Sequence, residues 1–477
     1  MKRMLFLLLT LMLCVGFGCA CAQAEKVGDG VFQPDGFTWS GGSGRISLSC
    51  EKVVLSGENA TATIVFSSPN YSRVRLDGGD YEAAHDGETS AFELPLPLNQ
   101  NVQIFATTTA MSKEREIQYT VCVELDASDA AQPEGLTYES SMEVSYADGF
   151  AVDYFEGGYA LINVKESGRY LVVPADMPVP DGLDASVTVL KQPVDTVYLA
   201  AASAMALFDA LDALDVIRLV GTQQSGWYID GIAQRMESGQ MLYAGKYNEP
   251  DFELLLTEGC DMAIESTMIL HSPKTREMIE LLGVPVFIDR SSYETHPLGR
   301  TEWIKLYSVL VDKEAQAAAF FDTQTKIIEE LKDFENTEKT VAFFYIGSDG
   351  TVTVRSSTDY VPSMIEIAGG RYVPGGIADP EGKRSSISLT MEEFYAAAVG
   401  ADYLIYNATI DNPLSDIGGL LAKSGLFADF KAVKEGNVWC TGKYLYQATD
   451  IVGSLITDIH RMLTGYEDGM TFMNKLK

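Results

Sequence analysis

Histidine and cysteine are scarce: the 477 residues hold four His and seven Cys, and three of the Cys lie within the first 21. His85, His271, His296 and His460 are scattered, with no HExxH among them. Cys50, Cys122, Cys260 and Cys440 form no CxxC pair and have no His at ligand spacing, which argues against a structural zinc site. Alternation in YTVCVEL turns Cys122 away from Tyr119, Val121 and Val123, whereas Cys50 shares a face with Ile46 and Leu48. A Cys50–Cys122 bridge is therefore not expected, and all four read as structural or incidental. A nucleophile elbow of the Gly-x-Ser-x-Gly type is missing too. Gly41-Gly42-Ser43-Gly44 has no helix after it, and Gly369-Gly370 closes a helix, so neither is a phosphate loop. An enzyme is not expected. Positive charge is also in short supply, with 35 Lys and Arg against 67 Asp and Glu, a formal charge of −32. Such a surface repels nucleic acid. Beyond the first residues no apolar run reaches 18, so no membrane-spanning helix is expected.

What is present begins with a targeting segment, residues 1–24: Lys2 and Arg3, an apolar stretch from Leu5 to Val15, then small residues. Two processing routes stay open. Ala22-Gln23-Ala24 fits a signal-peptidase site, and Gly-Phe-Gly-Cys19 resembles a lipobox that would put a lipid anchor on Cys19, although Gly16 stands where Leu is usual. Residues 25–130 read as a β-sandwich of immunoglobulin-like type, with short runs such as ATATIVFSS and NVQIFATTT separated by turn signals. Its expected role is a spacer or protein-contact module. Residues 131–192 read as a polar linker and leading β-strands.

From 193 to 298 strands and helices alternate: TVYLAAA, SAMALFDALDALD, VIRLVG, DMAIES, PKTREMIELLG and VPVFID. That pattern predicts a doubly wound α/β lobe. Residues 335–477 repeat it as a second lobe. Between them, 299–334 hold no Pro and only the leading Gly299, and are rich in helix formers. They predict a helical strut, as one helix of about 50 Å or as two abutting ones, with Asp312 a candidate cap.

Two α/β lobes without catalytic motifs point to closure on a ligand, bound at the carboxyl ends of the strands. The residues there are Ser203, Trp227, Tyr228, Met268, His271, Arg290 and Tyr293 in the first lobe, and Arg355, Tyr360, Tyr406 and Tyr444 in the second. Together they suggest a ring-lined pocket with a few polar groups to orient a ligand.

Residues ~193–464 resemble the class III substrate-binding proteins of ABC importers, which bind ferric siderophores, haem or cobalamin. The segments Asp251-Phe-Glu-Leu-Leu-Leu256 and Ser388-Leu-Thr-Met-Glu-Glu-Phe394 are similar to the paired segments whose glutamates dock on permease arginines. The resemblance implies Glu253 and Glu392 as the docking pair, with Glu393 adjoining the latter. It also implies two lobes bridged by a long helix, no intrinsic cofactor, and an iron chelate, haem or corrinoid as ligand. His271 and His296 become possible axial ligands if that ligand is haem. Further implications are a permease with its ATPase as partner, an extracytoplasmic location, lipid-anchored or secreted, and a monomer. The rival reading is a surface adhesion or ligand-sensing protein.

Overall fold

The computed structural model describes residues 30–477 apart from 33, 35, 43–45, 57–58, 77, 86, 111–114, 126–132, 134, 332–333, 378–383 and 467. The targeting segment with Cys19, and residues 131, 132 and 134 of the expected linker, lie outside the described residues. The chain divides into two compact units, 1–132 and 133–477.

The first unit has ten strands: β1 (Gly30–Phe32), β2 (Gly36–Gly41), β3 (Leu48–Ser56), β4 (Asn59–Phe66), β5 (Tyr71–Leu76), β6 (Gly79–Glu82), β7 (Ala84–His85), β8 (Ser90–Pro95), β9 (Val102–Thr108) and β10 (Arg115–Glu124). They form two antiparallel sheets, ordered β1-β3-β4-β8-β7 and β2-β10-β9-β5-β6. Alternation places Ala62, Ile64 and Phe66 of β4 inward beside Phe92 and Leu94 of β8, as a half-buried strand requires. The rings of Phe66, Phe92 and Tyr119 pack edge-on, and the Tyr71 and Tyr119 hydroxyls satisfy one another at 2.9 Å. All four described cysteines are unpaired.

The second unit opens with a five-stranded sheet of Tyr138–Ser141, Phe150–Phe155, Tyr159–Val164, Gly168–Val173 and Val187–Lys191, antiparallel except for its last pair. One face, including Phe150, Ile162 and Tyr170, joins the core of the first lobe, and the other gathers Phe155, Leu161 and Leu171. Apolar burial on both sides explains why these strands read as continuous hydrophobic runs. Two buried carboxylates tie the sheet down. Glu302 accepts from the backbone N–H groups of Ser145, Tyr146 and Ala147 at 2.7–3.1 Å and from Lys305 Nζ at 2.7 Å. Glu294 accepts from Asp148 N, Gly149 N and Trp303 Nε1. A Cβ at Gly149 would stand 2.7 Å from Glu294 Oε1, so only glycine lets the loop approach.

The first lobe carries a parallel sheet in the order Leu242–Tyr243, Ile217–Val220, Val197–Leu199, Met262–Ser266, Val286–Asp289. Its strand order reverses beside Val197–Leu199, which puts the switch-point crevice at the carboxyl end of that strand. The second lobe departs from the expected repeat, because its seven-stranded sheet is mixed. Thr340–Ile346, Tyr403–Tyr406 and Val438–Thr441 run parallel, while Val352–Arg355, Ser386–Leu389 and Met473–Lys475 add antiparallel pairs.

The strut is two helices, Pro297–Leu310 and Glu314–Glu329, and they do not run on in line. Asp312 takes a left-handed conformation, φ 54°. Ser308 O accepts from Val311 N at 3.2 Å and from Lys313 N at 3.0 Å, the pattern of a Schellman stop with Asp in the place Gly usually holds. Gln192 Nε2 fastens the turn by donating to Asp312 Oδ1 and Val309 O. The second helix then folds back, bringing the Phe321 ring within 4.6 Å of Lys305 Nζ. A continuous helix would hold those residues about 24 Å apart. The second helix touches both lobes: Lys313 Nζ donates to Leu211 O and Asp212 O, and Ile328 packs against the cores of both; the first helix also meets the second lobe, Thr301 Oγ1 donating to Thr449 O. No helix among the described residues is long and apolar enough to cross a membrane.

Candidate functional site

A cavity of about 510 Å³ lies between the lobes, within the range of small-molecule sites. The first lobe contributes Ala202 and Ser203 after its central strand, Gly226 and Tyr228, Ser292, and Arg300 from the first turn of the Pro297–Leu310 helix. The second contributes Tyr345, Arg355, Tyr360, a serine pair, Thr409, Ile410 and the segment holding Lys443, Tyr446 and Gln447. A smaller cavity of about 140 Å³ adjoins it, sharing Ser292 and Ser385 and lined also by Tyr293, Asp359 and Arg384.

One flank of the main cavity is a hydrogen-bonded seam. Gln447 uses both ends of its amide: Oε1 accepts from Tyr228 N at 2.9 Å, and Nε2 donates to Gly226 O at 2.7 Å. Two residues on, Thr449 Oγ1 donates to Ser203 O at 2.6 Å, and Thr449 O accepts from Thr301 Oγ1 at 2.7 Å. Four bonds thus join the lobes through residues at or beside the cavity wall.

Another part of the lining is cationic and aromatic. Arg355 bonds Asp359 through Nε at 3.0 Å and lies against the rings of Tyr360 and Tyr446. Burial works against its charge, yet Asp359, Tyr446 and Tyr360 together hold its pKa above the ordinary value. Burial pushes Asp359 upward while Arg355 pulls it down, and burial prevails. Tyr446 is oriented by Asn407 Nδ2, which donates to its hydroxyl at 2.9 Å. Arg300 is 4 % exposed and sits 4.1 Å from the centre of the Tyr360 ring. Tyr360 Oη is buried beside Arg355.

No family model matches the chain. An uncharacterized lipoprotein of Methanocaldococcus jannaschii is 22% identical over 391 residues, covering 75% of this chain and 91% of its own length. Solved structures to which the chain is similar include an ABC transporter substrate-binding protein of Listeria monocytogenes, 15% identical, covering 57% of this chain and 99% of that one, with a TM-score of 0.43. Periplasmic haem-binding protein HutB of Vibrio cholerae is 16% identical, covering 56% and 97%, TM-score 0.45. IsdE of S. aureus, solved with haem, is also 16% identical, covering 56% and 98%, TM-score 0.43.

Of the residues singled out in the sequence, Ser203, Tyr228, Arg355 and Tyr360 meet at the main cavity. Tyr293 lines the smaller one. Trp227 does not reach either. Its backbone is extended, φ −94° and ψ 133°, so it points opposite to Tyr228. The indole packs in the lobe core at 7 % exposure with Nε1 donating to Thr222 O. Tyr406 is fully buried on the far side of its strand and donates to Asp411. Tyr444 donates to Thr471 O and packs at a tilt against Phe472. Arg290 is engaged by Glu166 at 2.6 Å and by the Tyr293 ring. Met268 and His271 lie exposed on a surface turn. His296 caps the Pro297–Leu310 helix, its Nδ1 accepting from Leu298 N, and stacks on Tyr146. Neither histidine lines a described cavity.

Glu253 and Glu392 are both exposed in the first turn of helices that lead into central strands. Glu393 is occupied, its carboxylate accepting from Thr390 N in a capping box. The choice between the two neighbours therefore favours Glu392 as the carboxylate available to a partner. Tyr345, Lys443, Tyr446 and Gln447 were not singled out in advance. Arg300 was visible among the chain's few cations, but only the lobe packing places it in the cavity.

Proposed function

We propose that this chain is an extracytoplasmic solute-binding protein that captures a ferric siderophore or a tetrapyrrole and delivers it to an ABC permease with its ATPase. The observation that carries the reading is the 510 Å³ cavity lined by both lobes, at the switch-point crevice of the first, with a bonded seam along one flank. Ser203, Tyr228, Arg355 and Tyr360 are the ligand contacts in this reading. Glu253 and Glu392 are the docking pair in this reading, each exposed in the first turn of its helix. Cys19 is the lipid anchor that would hold the protein at the cell surface. We read the first unit as immunoglobulin-like, because β3-β4-β8-β7 and β10-β9-β5-β6 follow the strand order of that sandwich. Its role is spacing or protein contact.

Absorption spectra of the purified protein, incubated in turn with haem, cobalamin and ferric siderophores and then desalted, test the reading. A retained Soret band, corrin bands or a broad charge-transfer band at one equivalent per chain is the expected result. A protein that emerges colourless from all three would overturn it.

A further inference from the structure

We propose that Glu265 is a proton-operated switch inside the first lobe: protonated, it keeps the crevice end of that lobe closed, and ionised, it draws water in and lets that end open. Its bearing on capture rests on the reading of the cavity given above. Glu265 is wholly buried, and neither carboxyl oxygen has a hydrogen-bond partner among the described residues. In the strand Met262–Ser266, Met262 and Ile264 belong to the core on one face of the sheet and Ala263 to the core on the other. Alternation puts Glu265 with Ala263, on the face of Leu219, Leu255, Ile279, Val286 and Ile288. An acid there costs stability in either form, because the neutral carboxyl leaves polar atoms unpaired and the ionised one is desolvated as well. Methionine would fill a similar volume without that cost.

No cation is among the groups that set its titration: burial alone pushes it up, to about 8. Tyr198 on the neighbouring strand feels the Glu265 charge, together with Tyr243 and Cys260, but its hydroxyl donates to Gly245 O at 3.0 Å. The helices over this face bury Leu255 and Ile279 against it, and Arg276 of the Pro273–Leu281 helix is paired with Glu280 at 2.8 Å.

A short run of backbone bonds connects this acid to the cleft. Ile264 O, the carbonyl just before Glu265, accepts from Ala200 N at 2.9 Å and from Ala201 N at 3.1 Å. The next two residues, Ala202 and Ser203, line the cavity, and Ser203 O accepts the seam bond from Thr449. On the other side Ser266 leads into the turn Thr267–His271, whose Ile269 is buried in the same core while Met268 and Leu270 are exposed. In the open state that turn lifts and the carboxyl meets water. A glutamate in water ionises near about 4.3, so from there up to about 8 the open state has lost a proton that the closed state keeps. The opening equilibrium therefore rises by about tenfold per pH unit across that window and levels off above it. Acid closes the crevice end, and neutral to mildly alkaline pH loosens it.

Hydrogen exchange of the ligand-free mature chain, read by mass spectrometry from pH 6 to 8, tests the switch, and because no ligand is present a wrong reading of the cavity would leave the result untouched. After correction for the chemical exchange rate, opening at Ala200–Ala204 and Glu265–His271 should grow by about 100-fold over that range in the parent and stay flat in Glu265→Gln. Glu265→Met serves the same end should the Gln variant not fold. A carboxyl carbon resonance that the variant lacks should titrate near 8 in the parent. Flat opening in the parent, a rise shared by parent and variant, or a resonance that titrates below 6 would each overturn the switch. A rise that extends to Ile217–Val220 would make Glu265 a determinant of whole-lobe stability and would overturn it too.

Discussion

Replacing Gln447 by Leu keeps much of its bulk and removes both bonds that its amide makes to the first lobe, at 2.9 and 2.7 Å. Each such bond contributes about 0.5–1.5 kcal/mol net, because water takes over when it is broken. The seam should therefore weaken by about 1–3 kcal/mol, a factor of roughly 5–150 in the local opening equilibrium at about 1.4 kcal/mol per decade. The Tyr228 amide has Gln447 as its acceptor, so hydrogen exchange read by mass spectrometry on peptides spanning Gly226–Tyr228 reports the change directly. Exchange there should accelerate by that factor, while core strands such as Met262–Ser266 keep their protection. Ligand affinity should fall by no more than the same factor, since a site competent only when closed loses affinity with its closed fraction. Unchanged exchange at 226–228 would refute the latch. Acceleration spread evenly over the first lobe would show that the substitution had merely destabilised the fold.

Removing the docking carboxylates together, Glu253→Ala with Glu392→Ala, should leave ligand affinity and melting temperature nearly unchanged, as exposed carboxylates contribute little to folding, while abolishing uptake in cells. Loss of ligand binding would instead assign them to the pocket. Glu302→Ala should cost about 3–5 kcal/mol in urea unfolding, the usual cost of breaking a buried charged network, because three backbone N–H groups and Lys305 lose their acceptor. A loss under 1 kcal/mol would mean that the loop relaxes to water. Burial raises Glu265 to about 8 and Asp153 and Asp450 to about 6. The folded state thus holds more protons than the unfolded state from about pH 4 upward, and stability should fall as pH rises, through about 6 for the aspartates and about 8 for Glu265. Glu265→Gln should flatten the slope between pH 6 and 8, and an unaltered slope would contradict its burial as a neutral acid.

The sandwich and the first lobe were legible because their strands declare themselves locally. Alternation in ATATIVFSS and a buried run such as VIRLVG need no knowledge of distant neighbours. The two-helix break was harder to read. A left-handed stop is normally marked by glycine, and here Asp312 stands in that place with its side chain bonded by Gln192, 120 residues away. At the site, sequence could place Trp227 and Tyr228 on one loop but could not say which faced the ligand, since adjacent extended residues point oppositely and only packing fixes the sense. Tyr444 and Tyr446 pose the same problem on a single 3₁₀ turn, where the phenol that lines the cavity is the one oriented by Asn407. Arg300 looked like an ordinary helix residue, and only the packing of the lobes puts it on the cavity wall.

Capture in the cleft between the lobes puts Ile410 beside the ligand. Its side chain lines the cavity yet is 60% exposed, so enlarging it should not disturb a core. The measurement is a titration of whichever chelate or tetrapyrrole colours the protein into the parent chain and into Ile410→Trp, with melting curves for both. The expected result is one-to-one binding by the parent, at least roughly tenfold weaker binding by the variant, as when even a small steric mismatch enters a fitted pocket, and matching melting temperatures. Equal affinity in the two proteins would contradict the claim and move the site elsewhere on the chain.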